Sequence, residues 1–156
     1  MLLKSRIDYK ETSPNAIKAM WGLENYVHQC GLEQSLLELV KTRASQLNGC
    51  AYCIDMHTKD ARVGGETEQR LYALSAWAET PFFSARERAA LAWTEAVTLV
   101  SAGHVPETVF EVASQQFTEA ELVDLTLAIV AINGWNRLAI AFRTVPGTYQ
   151  PTARKT

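Results

Sequence analysis

The stretch from Thr118 to Arg143 constrains this chain more than any other. Thr118 is followed three residues later by Glu121, the spacing of a capping box in which each side chain satisfies the other's backbone amide. The sequence LVDLTLAIVAINGWNRLAIAFR then runs on without a proline. It is apolar on most sides of a helical wheel, which predicts a long helix buried all round. Such a helix is either the centre of a domain or part of a subunit interface. Val/Ile/Thr alternation of the strand type is absent elsewhere, so the whole chain reads as all-α. At 156 residues, it is expected to form a single domain, 1–156, around one core.

Local signals divide the rest into about seven helices. Ser13 and Pro14 open the first, which runs to about Gln29 and stops at Gly31. A second covers 32–47. A third opens at Asn48 as N-cap and runs to Val63, before Gly64-Gly65. A fourth spans 66–78. Ser84 and Glu87 form a second capping box for a fifth, ending near Gly103. Pro106 starts a short sixth, Thr118 the long seventh, and Pro146-Gly147 an irregular tail.

Composition removes several function classes. Lys+Arg number 15 and Asp+Glu 17, for a formal net charge of −2. The signs are interspersed with no basic stripe, so no nucleic-acid partner is expected. The N-terminal MLLKSRIDYK lacks the apolar stretch of a signal peptide. The longest apolar-rich run, 122–132, is short for a membrane span and contains Asp124 and Thr126. A cytoplasmic protein with no membrane partner is therefore expected. The 3 cysteines, Cys30, Cys50 and Cys53, do not make a disulfide scaffold. In a reducing compartment a close pair serves redox chemistry, catalysis or metal binding.

The chemistry concentrates in Asn48-Gly-Cys50-Ala-Tyr52-Cys53-Ile-Asp-Met-His57. At about 100° per residue, Cys53 falls roughly 60° from Cys50 and His57 roughly 20°, so the three share a helix face. A Cys-x-x-Cys in a first helical turn can close to a reducible disulfide with small adjustment. Unpaired amides and the helix dipole there favour thiolate. His57, four residues after Cys53, can take a thiol proton and return one to a leaving group. That arrangement suits O–O cleavage through a sulfenic acid and then a disulfide. Zinc held by Cys50, Cys53 and His57 is the competing reading, but no second Cys-x-x-Cys or His pair supplies a fourth ligand. A redox-sensing module whose disulfide forms without turnover is the third.

The segment from Glu38 through Arg43, Ser45, Gln46 and Asn48 to His57 resembles the AhpD-like alkylhydroperoxidase branch of the carboxymuconolactone decarboxylase family. Arg86–Glu95 and Asn133-Gly-Trp-Asn-Arg137 are similar to it as well, and the likeness extends from Pro14 to Arg143. The resemblance implies an all-α fold, homo-oligomers (trimers or hexamers) and thiol-dependent hydroperoxide reduction without a cofactor. The implied partners are a hydroperoxide and a thiol or dithiol reductant, protein or small molecule. It implies a relay of Glu38, His57, Cys50 and Cys53, with Cys53 meeting the peroxide and Cys50 resolving it. Contact with His57 also favours Cys53, whereas the helix start favours Cys50. The chain departs from well-studied relatives at Tyr52, where they carry a histidine between the cysteines. Tyrosine is a poor base near neutrality, which points to a shorter relay and slower turnover.

Periodicity alone disagrees with the resemblance about Glu38. Leu36, Leu37, Leu39, Val40, Ala44 and Leu47 form the apolar face of their helix, and Glu38, Lys41, Thr42 and Ser45 fall opposite. On that reading Glu38 is solvated. His28 is expected near a helix end and His104 in a turn. Trp21, Trp77, Trp93 and Trp135 are expected to pack, one or two lining a pocket. Asn136 and Arg137 are expected to make polar contacts on a buried helix, and Cys30 is a spectator.

Overall fold

The computed structural model describes residues 4–152. Among the described residues all regular structure is helical: nine α-helices and one 3₁₀ segment. They are α1 (Tyr9–Thr12), α2 (Pro14–Gln29), α3 (Gln34–Asn48), α4 (Ala51–Val63), α5 (Glu68–Ala73), the 3₁₀ segment Leu74–Glu79, α6 (Ala85–Thr98), α7 (Val100–Gly103), α8 (Glu107–Gln116) and α9 (Glu119–Phe142).

Local chemistry sets most boundaries. Both capping boxes form: Glu87 accepts the Ser84 amide at 2.8 Å and Glu121 that of Thr118 at 2.8 Å. Proline sets the start of α2, because the Ser13 side chain makes no cap hydrogen bond. The short α1, not anticipated from the sequence, is nucleated by Asp8, whose side chain accepts the amides of Lys10 and Glu11. The expected fourth helix is broken. Glu66 stays outside, paired with Arg70 at 2.8 Å, Thr67 caps α5, and the backbone kinks at Ala76 (φ −120°).

The centre of the fold is α3. Leu36, Leu37 and Val40 join the largest core with residues of α2, α6, α8 and α9. Leu39 packs with Ala61, Leu71, Leu74, Phe83 and Leu91. Ala44 packs with Cys50, Cys53, Ile132 and Ala139. With Glu38, Lys41, Thr42 and Ser45 buried too, the middle of α3 is buried on its polar side as well as its apolar one.

The expectation for α9 is corrected accordingly. It buries Leu125, Ala128, Ile129, Ala131 and Ile132, but Val123, Val130 and Ile140 are 61%, 48% and 46% exposed. As a helix of 24 residues with mean hydropathy 1.4 over its most apolar window, it is long and apolar enough to cross a membrane by length and composition. In this fold it lies along α3, bonded to it through Asn136 and Ser45 (3.0 Å).

Candidate functional site

The site forms where α3 turns into α4. Gly49 takes a left-handed conformation (φ 68°, ψ 31°) that an L side chain disfavours, and it caps α3. Its amide reaches the Gln46 carbonyl at 3.2 Å, and the Cys50 amide reaches that of Ser45 at 2.9 Å. The next helix begins at Ala51 with Cys50 as N-cap, extended at φ −84°, ψ 94°. This corrects the expected start at Asn48. That residue ends α3 instead, because its side-chain amide is drawn to Asn133 (3.0 Å) and Asn136 (2.9 Å) on α9. Cys50 therefore lies just outside the helix and Cys53 at its third position.

Both thiols are free and 1% exposed. The Cys50 thiol is lowered from 9.0 to about 7, first by the Cys53 thiol as donor. The Cys53 and Tyr52 amides and the Asn136 side chain add to this against the opposing effect of burial. Cys53 is pushed upward, first by its bond to Cys50 and then by burial. Of the two thiols, Cys50 is thus the one that ionises first, with Cys53 as its hydrogen-bond donor.

His57 is buried, and its Nδ1 lies 2.9 Å from Glu38 Oε2. The other Glu38 oxygen accepts from Gln34 Nε2 at 2.8 Å. Glu38 is therefore in the site as the resemblance implied, not solvated as the wheel suggested. Burial would raise its carboxyl, but the His57 bond and charge, with Lys41 and Gln34, outweigh that and lower it. A carboxylate on Nδ1 fixes the tautomer that donates to Glu38.

Sequence reasoning missed a second buried pair. Lys41, 1% exposed, donates to Glu24 on α2. The other Glu24 oxygen accepts from Trp135 Nε1 at 3.1 Å. His28 contacts Glu24 at 3.3 Å, linking the end of α2 to this pair. The only available signal was a lysine four residues from a leucine stripe, which sequence alone reads as surface.

A cavity of about 200 Å³ brings these groups together. Cys53, His57, Glu38 and Lys41 line it, and Cys50 does not. Its walls include Tyr9, Tyr52, Trp21 and Trp135; the two tryptophan rings lie 5.1 Å apart. Two of the four tryptophans thus line the pocket, while Trp93 is buried and Trp77 bonds Glu95 at 2.7 Å. Cys30 lies apart, packed on the largest core and donating to the Val27 carbonyl at 3.1 Å. His104 caps α7 in a turn (φ 54°), and Arg137 bonds Asn133. Among the described residues, the metal-type donors that converge within 4.8 Å are Glu38, His57 and Asp60, rather than the two cysteines with His57.

A buried Cys-x-x-Cys at a helix start, with a His–Glu pair on the same pocket, defines a dithiol protein of helical fold. The comparisons give the family. The family model "Carboxymuconolactone decarboxylase family" matches residues 14–96. The chain is 45% identical over 139 residues to the uncharacterised protein YdfG of Bacillus subtilis, covering 89% of this chain and 95% of YdfG. It superposes with TM-score 0.91 and 44% identity on a crystal structure from Agrobacterium tumefaciens, a protein of unknown function considered a candidate AhpD antioxidant-defence protein, over 94% of this chain and 100% of that one. The debrominase Bmp8 shares the fold, with TM-score 0.80 and 20% identity over 88% of this chain and 74% of that one. This chain belongs to the carboxymuconolactone decarboxylase family, with the AhpD-like fold.

Proposed function

We propose that the protein is a thiol-dependent hydroperoxide reductase that cycles through a Cys50–Cys53 disulfide. The observation that carries this reading is the convergence of Cys53, His57 and Glu38 on one cavity, with Cys50 capping the same helix behind it. His57 donates from Nδ1 to Glu38 and takes the Cys53 proton at Nε2. The Cys53 thiolate attacks one peroxide oxygen: an S–O bond forms, the O–O bond breaks, and the departing alkoxide recovers the proton from Nε2. The Cys50 thiolate then attacks the sulfenic acid. An S–S bond forms, the S–O bond breaks, and hydroxide leaves as water with a proton supplied through the relay. Two sulfurs are oxidised and one peroxide is reduced, without a cofactor. A thiol or dithiol reductant returns two electrons and two protons, which suits the reducing cytoplasm.

Access supports Cys53 as the attacking sulfur, since it lines the cavity. Acidity supports Cys50 as the resolving one, since it is the more readily ionised of the two. Residues 1–156 act as one unit in this reading. The exposed apolar residues of α9 (Val123, Val130 and Ile140) are the surface on which copies of the chain pack as a homo-oligomer.

Reduced protein mixed with one equivalent of cumene hydroperoxide and mapped by peptide mass should show loss of two hydrogens as a Cys50–Cys53 disulfide. Cys53→Ser should form none, and His57→Ala should be slower by about 100-fold, the low end for a general acid–base group. A pair that stays reduced, or oxidises no faster than free thiol, rejects the peroxidase reading.

A further inference from the structure

Beside the thiol cavity lies a larger one, of about 380 Å³, that no cysteine lines. Glu38, Asp60 and Tyr149 line both cavities, so the buried carboxylate of the His57 pair is reached from either side. Asp60 follows His57 by three residues and shares its face of α4. One ligating atom from each of Glu38, His57 and Asp60 lies within 4.8 Å of the others, near enough for Asp60 to exchange a proton with the pair through one water. Tyr149 donates its phenol to Asp60 Oδ1 at 2.8 Å, although 89 residues separate them. The segment carrying Tyr149 is tied down along α4. The Gly147 amide bonds Asp55 Oδ2 at 3.1 Å, and Lys59 Nζ bonds the Tyr149 carbonyl at 3.1 Å while pairing with Asp55 at 2.9 Å.

We propose that Asp60 and Tyr149 complete the proton relay: Asp60 exchanges the proton between the His57 side of the thiol cavity and the larger cavity, and Tyr149, brought in by the C-terminal segment, is the residue that positions it. This rests on the reading of Glu38 and His57 as a relay. The water-forming step consumes a proton that the cysteines do not hold. It enters at Asp60, which lines the thiol cavity with His57, and passes through one water to the bare Nε2 of His57, which hands it to the departing hydroxide, while Nδ1 keeps its own proton against Glu38. Each group returns to its starting state once the next proton arrives from the larger cavity.

The groups facing Asp60 are Glu38 and Lys41 from α3, His57 from its own helix and Tyr149 from the C-terminal segment. Burial raises the Asp60 carboxyl, and the Glu38 charge raises it further, against Tyr149, His57 and Lys41. Of the two neighbouring carboxyls, Asp60 is the one pushed toward holding a proton, and the Glu38 charge is part of the cause. The Tyr149 phenol is also raised, by burial and then by Asp60, so it remains a donor.

Carboxyl-carbon NMR titration of the reduced, labelled protein tests the coupling without peroxide. Asp60→Asn should move the Glu38 midpoint to lower pH, and Tyr149→Phe should move the Asp60 midpoint to higher pH. In single-turnover oxidation by cumene hydroperoxide, both variants should slow disulfide formation by about tenfold. Asp60→Glu should recover part of the rate where Asn does not. A Glu38 titration indifferent to Asp60, or Asn and Glu variants that oxidise alike, overturns the proposal. If the wild-type pair ignores peroxide, the peroxidase reading falls; coupled titrations would still place Asp60 and Tyr149 on the relay, and uncoupled ones would remove them.

Discussion

Helices α3 and α9 exchange the roles their sequences suggest. By composition α3 has a polar side, with Glu38, Lys41, Thr42 and Ser45, yet that side is buried. By composition α9 is apolar nearly all round, yet Val123, Val130 and Ile140 face outward. Partnering explains the first. Glu38 is held by His57 and Gln34, Lys41 by Glu24, and the Thr42 hydroxyl by the Glu38 carbonyl at 2.7 Å. Ser45 donates to the Lys41 carbonyl at 2.7 Å and accepts from Asn136 at 3.0 Å. Among the described residues no buried side-chain polar atom lacks a partner. A polar face can be buried when every group on it is satisfied, and the groups so buried are those that carry chemistry. An apolar face outside the core is tolerated when another surface covers it.

The sharpest way to break the comparison is to unpair the polar face of α3. Lys41→Met leaves Glu24 buried with its cation gone. Urea unfolding should show a loss of about 3–5 kcal/mol. Adding Glu24→Leu should recover much of it, since replacing both members of a buried ion pair is far less costly than removing one. A loss in the single variant near that of an ordinary surface change would show that the pair is not closed to solvent.

A smaller effect is expected with acid. Burial opposes ionisation of Glu24, but Lys41 and then His28 and Trp135 outweigh it, and Glu24, like Glu38, ionises below the usual 4.5. A folded-state value lowered in this way contributes stability in full above the unfolded value, and loses it as pH falls from about 4.5 through the folded one. Asp60, raised in the folded protein, works in the opposite sense. Urea midpoints should therefore hold from pH 7 to 5 and decline below. The decline should be shallower in Glu24→Gln, and an equal slope in both proteins would remove Glu24 as its cause.

The smallest effect on stability belongs to α9. Val130→Asp should change stability at fixed protomer concentration by no more than about 0.5 kcal/mol once subunits are dissociated, as for other surface positions. Sedimentation velocity should show it shifted to smaller species than the wild type. A variant that sediments unchanged would show that this face is not where copies meet.

How much of this was legible in the sequence follows the reach of each interaction. The starts of α6 and α9 could be read because Ser84–Glu87 and Thr118–Glu121 complete their hydrogen bonds within four residues. The shared face of Cys53 and His57 could be read for the same reason. Asn48 misled because its preferred local role as a cap lost to Asn133 and Asn136, more than 80 residues away. The burial of Glu38 beside His57 was legible only through the family likeness, because a helical wheel assumes one dry side and α3 has two. The Lys41–Glu24 and Tyr149–Asp60 contacts carry no local signature; each joins separate elements through single side chains.

The left-handed turn at Gly49 has a consequence for how such a protein can change over generations. Because one residue reverses the chain, the acid, the base and both sulfurs occupy twenty consecutive positions, Glu38 to His57, and are inherited as a block. Apart from Tyr52, the aromatic walls of the cavity come from elsewhere: Tyr9 from α1, Trp21 from α2, Trp135 from α9 and Tyr149 from the C-terminal segment. Substitutions at those walls can reshape what enters without touching the block, whereas one inserted or deleted residue inside it separates the relay from its thiols. Chemistry and recognition are thus free to drift at different rates in the same small chain.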